Sequence, residues 1–192
     1  MKQLRYLLLF LSFAALVILN GCSKFNSSSA NSLQNAGVTG KVYYTKYTFL
    51  YEKNIFRTTN YRKGIIVPIN TKVAVESVKG NTIKLIFSDT GIKVDVVNIE
   101  NYSGENIQGI FDKLLSPTPV NLSMYSKSTI NKIKSGIVEP GMDKKTVILA
   151  LGYPPKHKTP SLELSVWKYW QNRFNTFDVI FDEKGKVVST KS

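Results

Sequence analysis

The sequence predicts an α+β protein of two small units behind an export signal, and three observations carry that reading. Between Lys41 and Ser103, short aromatic and β-branched runs alternate with turn residues, the pattern of a small antiparallel β-barrel. Between Asn106 and Gly152, apolar residues recur at helical spacing. After Ser165, three runs of alternating apolar residues close the chain as strands.

The N-terminus sets the compartment. Lys2 and Arg5 precede the apolar run Tyr6–Leu19, which is shorter than the ~20 residues needed to span a bilayer and has the flanks of an export signal. It ends in Leu19-Asn20-Gly21-Cys22, which resembles a bacterial lipobox. The resemblance implies a signal peptide over residues 1–21, with Cys22 thioether-linked to diacylglycerol, then made the mature N-terminus and N-acylated. Stable anchoring takes about two acyl chains, a condition a triacylated cysteine meets. Ser23, where an aspartate would hold such a protein at the inner membrane, points to the outer membrane with the folded part in the periplasm.

Cys22 is the single cysteine of 192 residues, so its use as an anchor leaves no disulfide, and the fold rests on hydrophobic cores. The net charge of +13 falls to +11 once residues 1–21 are removed, and the excess is spread over both units. An exported, membrane-tethered chain has no use for nucleic acid. The basic surface suits solubility, with anionic lipid or an acidic envelope polymer such as peptidoglycan as alternative partners.

Residues 22–40 are rich in Ser, Asn and Gly and read as a flexible tether with a reach of roughly 25 Å. Residues 41–116 form the first unit. Its strands lie in "KVYYTKYTFLY", in "GIIVPINTKVAVESV" with a turn at Pro68, in "TIKLIF" after Lys79–Asn81, and in "IKVDVVNI" after Asp89–Gly91. The stretch Gly64–Val75, "GIIVPINTKVAV", resembles the "G-x-x-x-P-x-x-T-x-V" segment of SH3-like bacterial domains, although Ile83 and Leu85 stand where a tryptophan is usual. A trailing amphipathic helix with Ile107, Ile110, Phe111, Leu114 and Leu115 ends at Ser116–Pro119, the expected boundary.

Residues 120–192 form the second unit. "SKSTINKIKSG" reads as a helix stopped by Gly136, and Asp143 as the N-cap of another that Gly152 stops. Strands follow in "SVWKYWQN", "FNTFDVIF" and "KVVST", the last two joined by the Asp182–Gly185 turn. Ile137, Gly141-Met142, Val147, Leu151-Gly152, Pro154, Trp167-x-Tyr169, Phe181 and Gly185-x-Val187 stand in the order of the BamE-like (SmpA/OmlA) lipoprotein family. The resemblance covers about residues 123–192, with Asp143 in place of the usual Ser or Thr. It implies a two-helix, three-strand domain in an outer-membrane lipoprotein that supports β-barrel assembly or stabilises envelope complexes by binding.

Catalytic chemistry finds little to work with. His157, the single histidine, sits between Lys156 and Lys158, and no second histidine exists to build a metal cluster with it. Asp89, Asp95, Asp178 and Glu163 fall in no carboxylate motif, and phosphate-loop and calcium-loop patterns are absent from the sequence. The sequence is read as a non-enzyme without catalytic residues, metal or cofactor.

Alternation along the last strands places Trp167, Tyr169, Phe177, Val179, Phe181 and Val187 on the core face. The open face then carries Trp170, Phe174, Ile180 and Val188 beside Lys168, which is more apolar surface than solvent should see. The chain's own first unit, a partner protein and lipid compete to cover it. The leading expectation is a lipid-anchored binding or scaffold module for an envelope protein. The alternative is an envelope-polymer binder acting through the SH3-like half.

Overall fold

The computed structural model describes residues 24–192, so Cys22, the signal and the start of the tether lie outside the described residues. Valine, isoleucine and aromatic residues at alternate positions build strands β1 (Val42–Thr45), β2 (Phe49–Tyr51), β3 (Ile55–Arg57), β4 (Ile65–Val67), β5 (Lys72–Lys79), β6 (Thr82–Phe87) and β7 (Lys93–Val97). With β8 (Leu115–Ser116) they form a curled six-stranded sheet of order β3-β7-β6-β5-β1-β8, beside a two-stranded β2-β4 ladder. The protein is α+β, as the patterns require.

Alternation is kept across an irregularity in β5. Val73, Val75 and Val78 are all buried, a spacing that strict period two forbids. A register shift between Val75 and Ser77 resolves this, since one extra residue turns Val78 inward and Ser77 away. The sheet departs from the antiparallel barrel in one respect: β3 pairs parallel to β7, with Phe56 opposite Val96.

A second departure lies in the expected tether. Residues Lys24–Asn35 form helix α1. Ala30 and Leu33, three residues apart and so on one face, are buried with Val38 in the first core. Gln34 adds a side-chain bond to the carbonyl of Val78. The polar composition belongs to the outer face, where Ser28, Asn31 and Ser32 are exposed.

Helices α2 (Glu100–Ser103) and α3 (Ile107–Leu114) follow, the latter capped by Asn106, whose side chain accepts from the Gly109 N–H. Beyond Pro119 come α4 (Lys127–Lys134) and α5 (Lys144–Leu151), capped by Ser126 and Asp143. Strands β9 (Val166–Trp170), β10 (Thr176–Phe181) and β11 (Val187–Lys191) form an antiparallel sheet of order β11-β10-β9. Trp167, Tyr169, Val179, Phe181 and Val187 on its inner face share a core with Ile133, Val147 and Leu151 of the two helices.

The chain segments either side of residues 116–120 are tied along a polar seam. The Thr48 N–H donates to Leu149 O at 2.9 Å, and its hydroxyl donates to Ile133 O at 2.7 Å. Asn60 Nδ2 donates to Leu151 O at 2.7 Å and to Tyr153 O at 3.0 Å. Arg62 Nη1 donates to Leu151 O at 3.2 Å and to Thr48 O at 3.3 Å. Ile69, from the first segment, is buried in the second core. Asn70 and Val120 exchange two bonds, Nδ2 to O at 2.9 Å and N to Oδ1 at 2.7 Å.

A candidate interaction surface of aromatic rings and cations

The seam fixes one end of β9, because the Arg62 N–H donates to Trp170 O at 2.9 Å. That bond brings Tyr61 onto the last residue of the strand, with ring centroids 6.3 Å apart at 84°. On its other side Trp170 stacks on His157 at 6.2 Å and 21°. His157 in turn lies 4.4 Å from the Tyr102 ring, held by the Lys156 N–H bond to Tyr102 O. Lys158 Nζ sits 5.5 Å from the Trp170 ring centroid, within cation–π range. Residues from three distant parts of the sequence thus form one aromatic stripe across both segments. Although His157 is largely exposed, partial desolvation draws its imidazole below the ordinary pKa, and the Lys158 charge adds to the shift against the bond to the Tyr102 backbone.

The stripe continues into a groove of about 670 Å³ between the β2–β3 hairpin and the turn joining β9 to β10. Arg57, Lys63 and Arg173 line it with Glu52, Tyr61 and Phe174. Glu52 is paired with Lys63 at 3.1 Å, which leaves Arg57 and Arg173 with no carboxylate partner among the described residues. Phe174 is 81% exposed at the turn, with the Arg173 guanidinium 5.6 Å from its ring. The turn itself is set by Asn172, whose side chain accepts from the N–H groups of Phe174 and Asn175.

The residues placed on the open face by alternation divide into two groups. Trp170 is half-buried against Tyr61 and His157, so it packs on the chain's own first segment. Phe174 and Val188 remain exposed, the latter at 49%, and Ile180 is half-buried opposite Val166. Lys168 is paired with Asp178 directly across β9 and β10, so it is not a free cation. A register shift between Ile180 and Phe181 puts Val187 and Ser189 in the paired positions of β11, with Val188 as the extra residue. Tyr61, Arg57 and Tyr102 were not legible as site residues, because tertiary packing alone sets Tyr61 beside Trp170, Arg57 in the groove with Phe174, and Tyr102 against His157.

Among the described residues no group of three His, Cys, Asp or Glu side chains could hold a metal ion, and no helix is long and apolar enough to cross a membrane. No family model, curated protein or solved structure matches the chain.

Proposed function

We propose that the chain is an outer-membrane lipoprotein, anchored through Cys22, whose folded part is a non-catalytic binding module for another envelope protein. The observation that carries the binding reading is Phe174, an 81% exposed ring at the mouth of a groove lined by Arg57 and Arg173. Aromatic and arginine side chains dominate the energetics of protein interfaces, and a lone exposed phenylalanine flanked by arginine has that composition. Val166 and Val188 are also exposed on the same small sheet, toward the end away from the Phe174 turn. The BamE-like residue pattern supports the same reading. Capture of envelope proteins by the native chain, compared with Phe174→Ser and Arg173→Glu, tests it.

A second reading has its own support. Tyr61 and Phe174 share the groove with the amide side chains of Asn172 and Asn175, a set able to stack on and hydrogen-bond to sugar rings. With no carboxylate partner for Arg57 or Arg173 among the described residues, the groove also suits an acidic envelope polymer such as peptidoglycan. Co-sedimentation with purified sacculi separates this reading from the first.

A further inference from the structure

A second concavity lies in the seam, away from the aromatic stripe. Lys46 and Tyr47 of the β1–β2 connection, Val120, helix α5, the loop before β9 and Trp167 enclose a cleft of about 440 Å³. Volumes of roughly 300–1,000 Å³ are those of small-molecule sites, which are mostly apolar with a few polar groups. Here Val120, Ile148, Leu149 and Leu162 supply the apolar wall. Trp167 is fully buried beside them, and its indole Nε1 has no hydrogen-bond partner among the described residues.

Charge around the cleft is one-sided. Lys46, Lys113, Lys144 and Lys145 line it against the single carboxylate of Glu163. Lys113 is neutralised by Glu105. Lys46 donates to Asp112 O and Lys144 to Leu162 O, contacts that satisfy an N–H without cancelling its charge. Lys144 Nζ also lies 5.7 Å from the Trp167 ring centroid, so a cation sits above the apolar wall itself. No carboxylate among the described residues forms an ion pair with Lys46, Lys144 or Lys145.

We infer that this cleft binds a single-chain anionic amphiphile, its alkyl chain against Ile148 and Leu162 and its carboxylate or phosphate head among Lys46, Lys144 and Lys145. A neutral chain would leave the cations unpaired, and a bare anion would leave the apolar wall wet. Only a molecule with both parts uses the whole cleft. The inference stands apart from the groove at Phe174, since the two sites share no residue.

Photoaffinity labelling of the full-length chain in phosphatidylcholine nanodiscs tests it. Three diazirine probes share one twelve-carbon chain and carry a carboxylate, a trimethylammonium or a glyceryl head. A lysophosphatidate analogue distinguishes phosphate from carboxylate as the preferred head. The expected result is saturable labelling by one or both anionic probes, mapped to residues lining the cleft and displaced by unlabelled dodecanoate. Lys46→Glu with Lys145→Glu should reduce that labelling about tenfold at an unchanged thermal midpoint. Ile148→Phe, which fills the cleft without altering charge, should reduce labelling by every probe. Equal labelling by charged and neutral heads, adducts scattered over the surface, or labelling indifferent to the lysine pair would overturn the inference.

Discussion

Asn60 Nδ2 lies 2.7 Å from the carbonyl oxygen of Leu151, ninety-one residues further along the chain. Leu151 is the last residue of α5, and its carbonyl is one that no helical N–H reaches. Asn60 and Arg62 supply the missing donors from the other segment, with Arg62 Nη2 also 3.5 Å from Ala150 O. A guanidinium at a helix C-terminus is favoured by the helix dipole as well. Asn60 holds a left-handed φ of 54°, a conformation asparagine tolerates better than most residues.

Asn60→Ala should therefore destabilise the whole protein, by about 1–3 kcal/mol, because it removes the Asn60 donor from Tyr153 O, leaves Leu151 O with the Arg62 bond alone, and puts alanine at a left-handed φ. Urea unfolding should remain a single transition at a lower midpoint. An early, separate loss of one segment would show that the seam does not couple them. A fragment of residues 120–192 loses Thr48, Asn60, Arg62 and Ile69 together, and should unfold well below the intact chain.

Two glycines separate steric from conformational cost. Gly152 has φ +76°, and a Cβ there would meet the Tyr47 ring at 2.7 Å and Asn60 Nδ2 at 3.3 Å. Gly141 has φ +89°, and a Cβ there would meet nothing within 4 Å. Gly141→Ala should cost about 1–2 kcal/mol for the left-handed backbone alone. Gly152→Ala should cost clearly more, since it also pushes the seam open. Equal losses in thermal unfolding would contradict the close approach.

How much of this was legible follows from which interactions are local. Helices α4 and α5, strands β9–β11 and the Asp143 cap follow from caps and periodicity, which are properties of neighbouring residues. Helix α1 was missed because Ala30 and Leu33, which dock it among the described side chains, lie in a serine- and asparagine-rich run. The seam was missed because Asn60 and Arg62 look like solvated polar residues until their partners arrive from far along the chain. For the surface, alternation placed Trp170 correctly away from the second core. It could not show that Tyr61 and His157 would cover that ring.

That cover has a consequence for mutagenesis. Trp170→Ala removes the centre of the Tyr61–Trp170–His157 stack and should lower the thermal midpoint, at a cost of about 1–3 kcal/mol for a half-buried ring. Phe174→Ser should leave the midpoint in place, because Phe174 is almost wholly in solvent. The reverse order of effects would mean that Phe174 packs internally.

Alkaline pH should weaken the fold. Burial raises the phenols of Tyr47, Tyr169 and Tyr153, and the Tyr153 value is raised further by Glu105. Above about pH 10 the unfolded chain releases these protons while the folded one keeps them, so stability falls as pH rises. Arg62 acts in the opposite sense. Burial lowers its guanidinium to about 10, so the folded state loses that proton before the unfolded state does. Three groups oppose one, and the urea midpoint should drop above pH 10. Tyr47→Phe should flatten the drop, and a midpoint indifferent to alkali would contradict the burial of these hydroxyls.

Asp143 governs the acid side. Burial would raise its carboxyl, but bonds from the Thr146 hydroxyl and N–H, with Lys186 nearby, hold it below the ordinary value. A carboxyl lowered by folding stabilises above its unfolded pKa of about 3.9, and that stability is lost as pH falls through the folded value. Asp143→Ala should cost about 1 kcal/mol at neutral pH, and Asp143→Asn less, since the amide oxygen still caps α5. Equal losses in the two variants would assign the effect to charge rather than capping.

The binding reading is tested most directly at Phe174 and Arg173. The native lipoprotein, Phe174→Ser and Arg173→Glu are each used to capture proteins from detergent-solubilised envelopes, with thermal midpoints measured in parallel. A protein captured by the native chain should be lost from both variants while their midpoints stay where they were. The same protein captured in the same yield by both variants would contradict it.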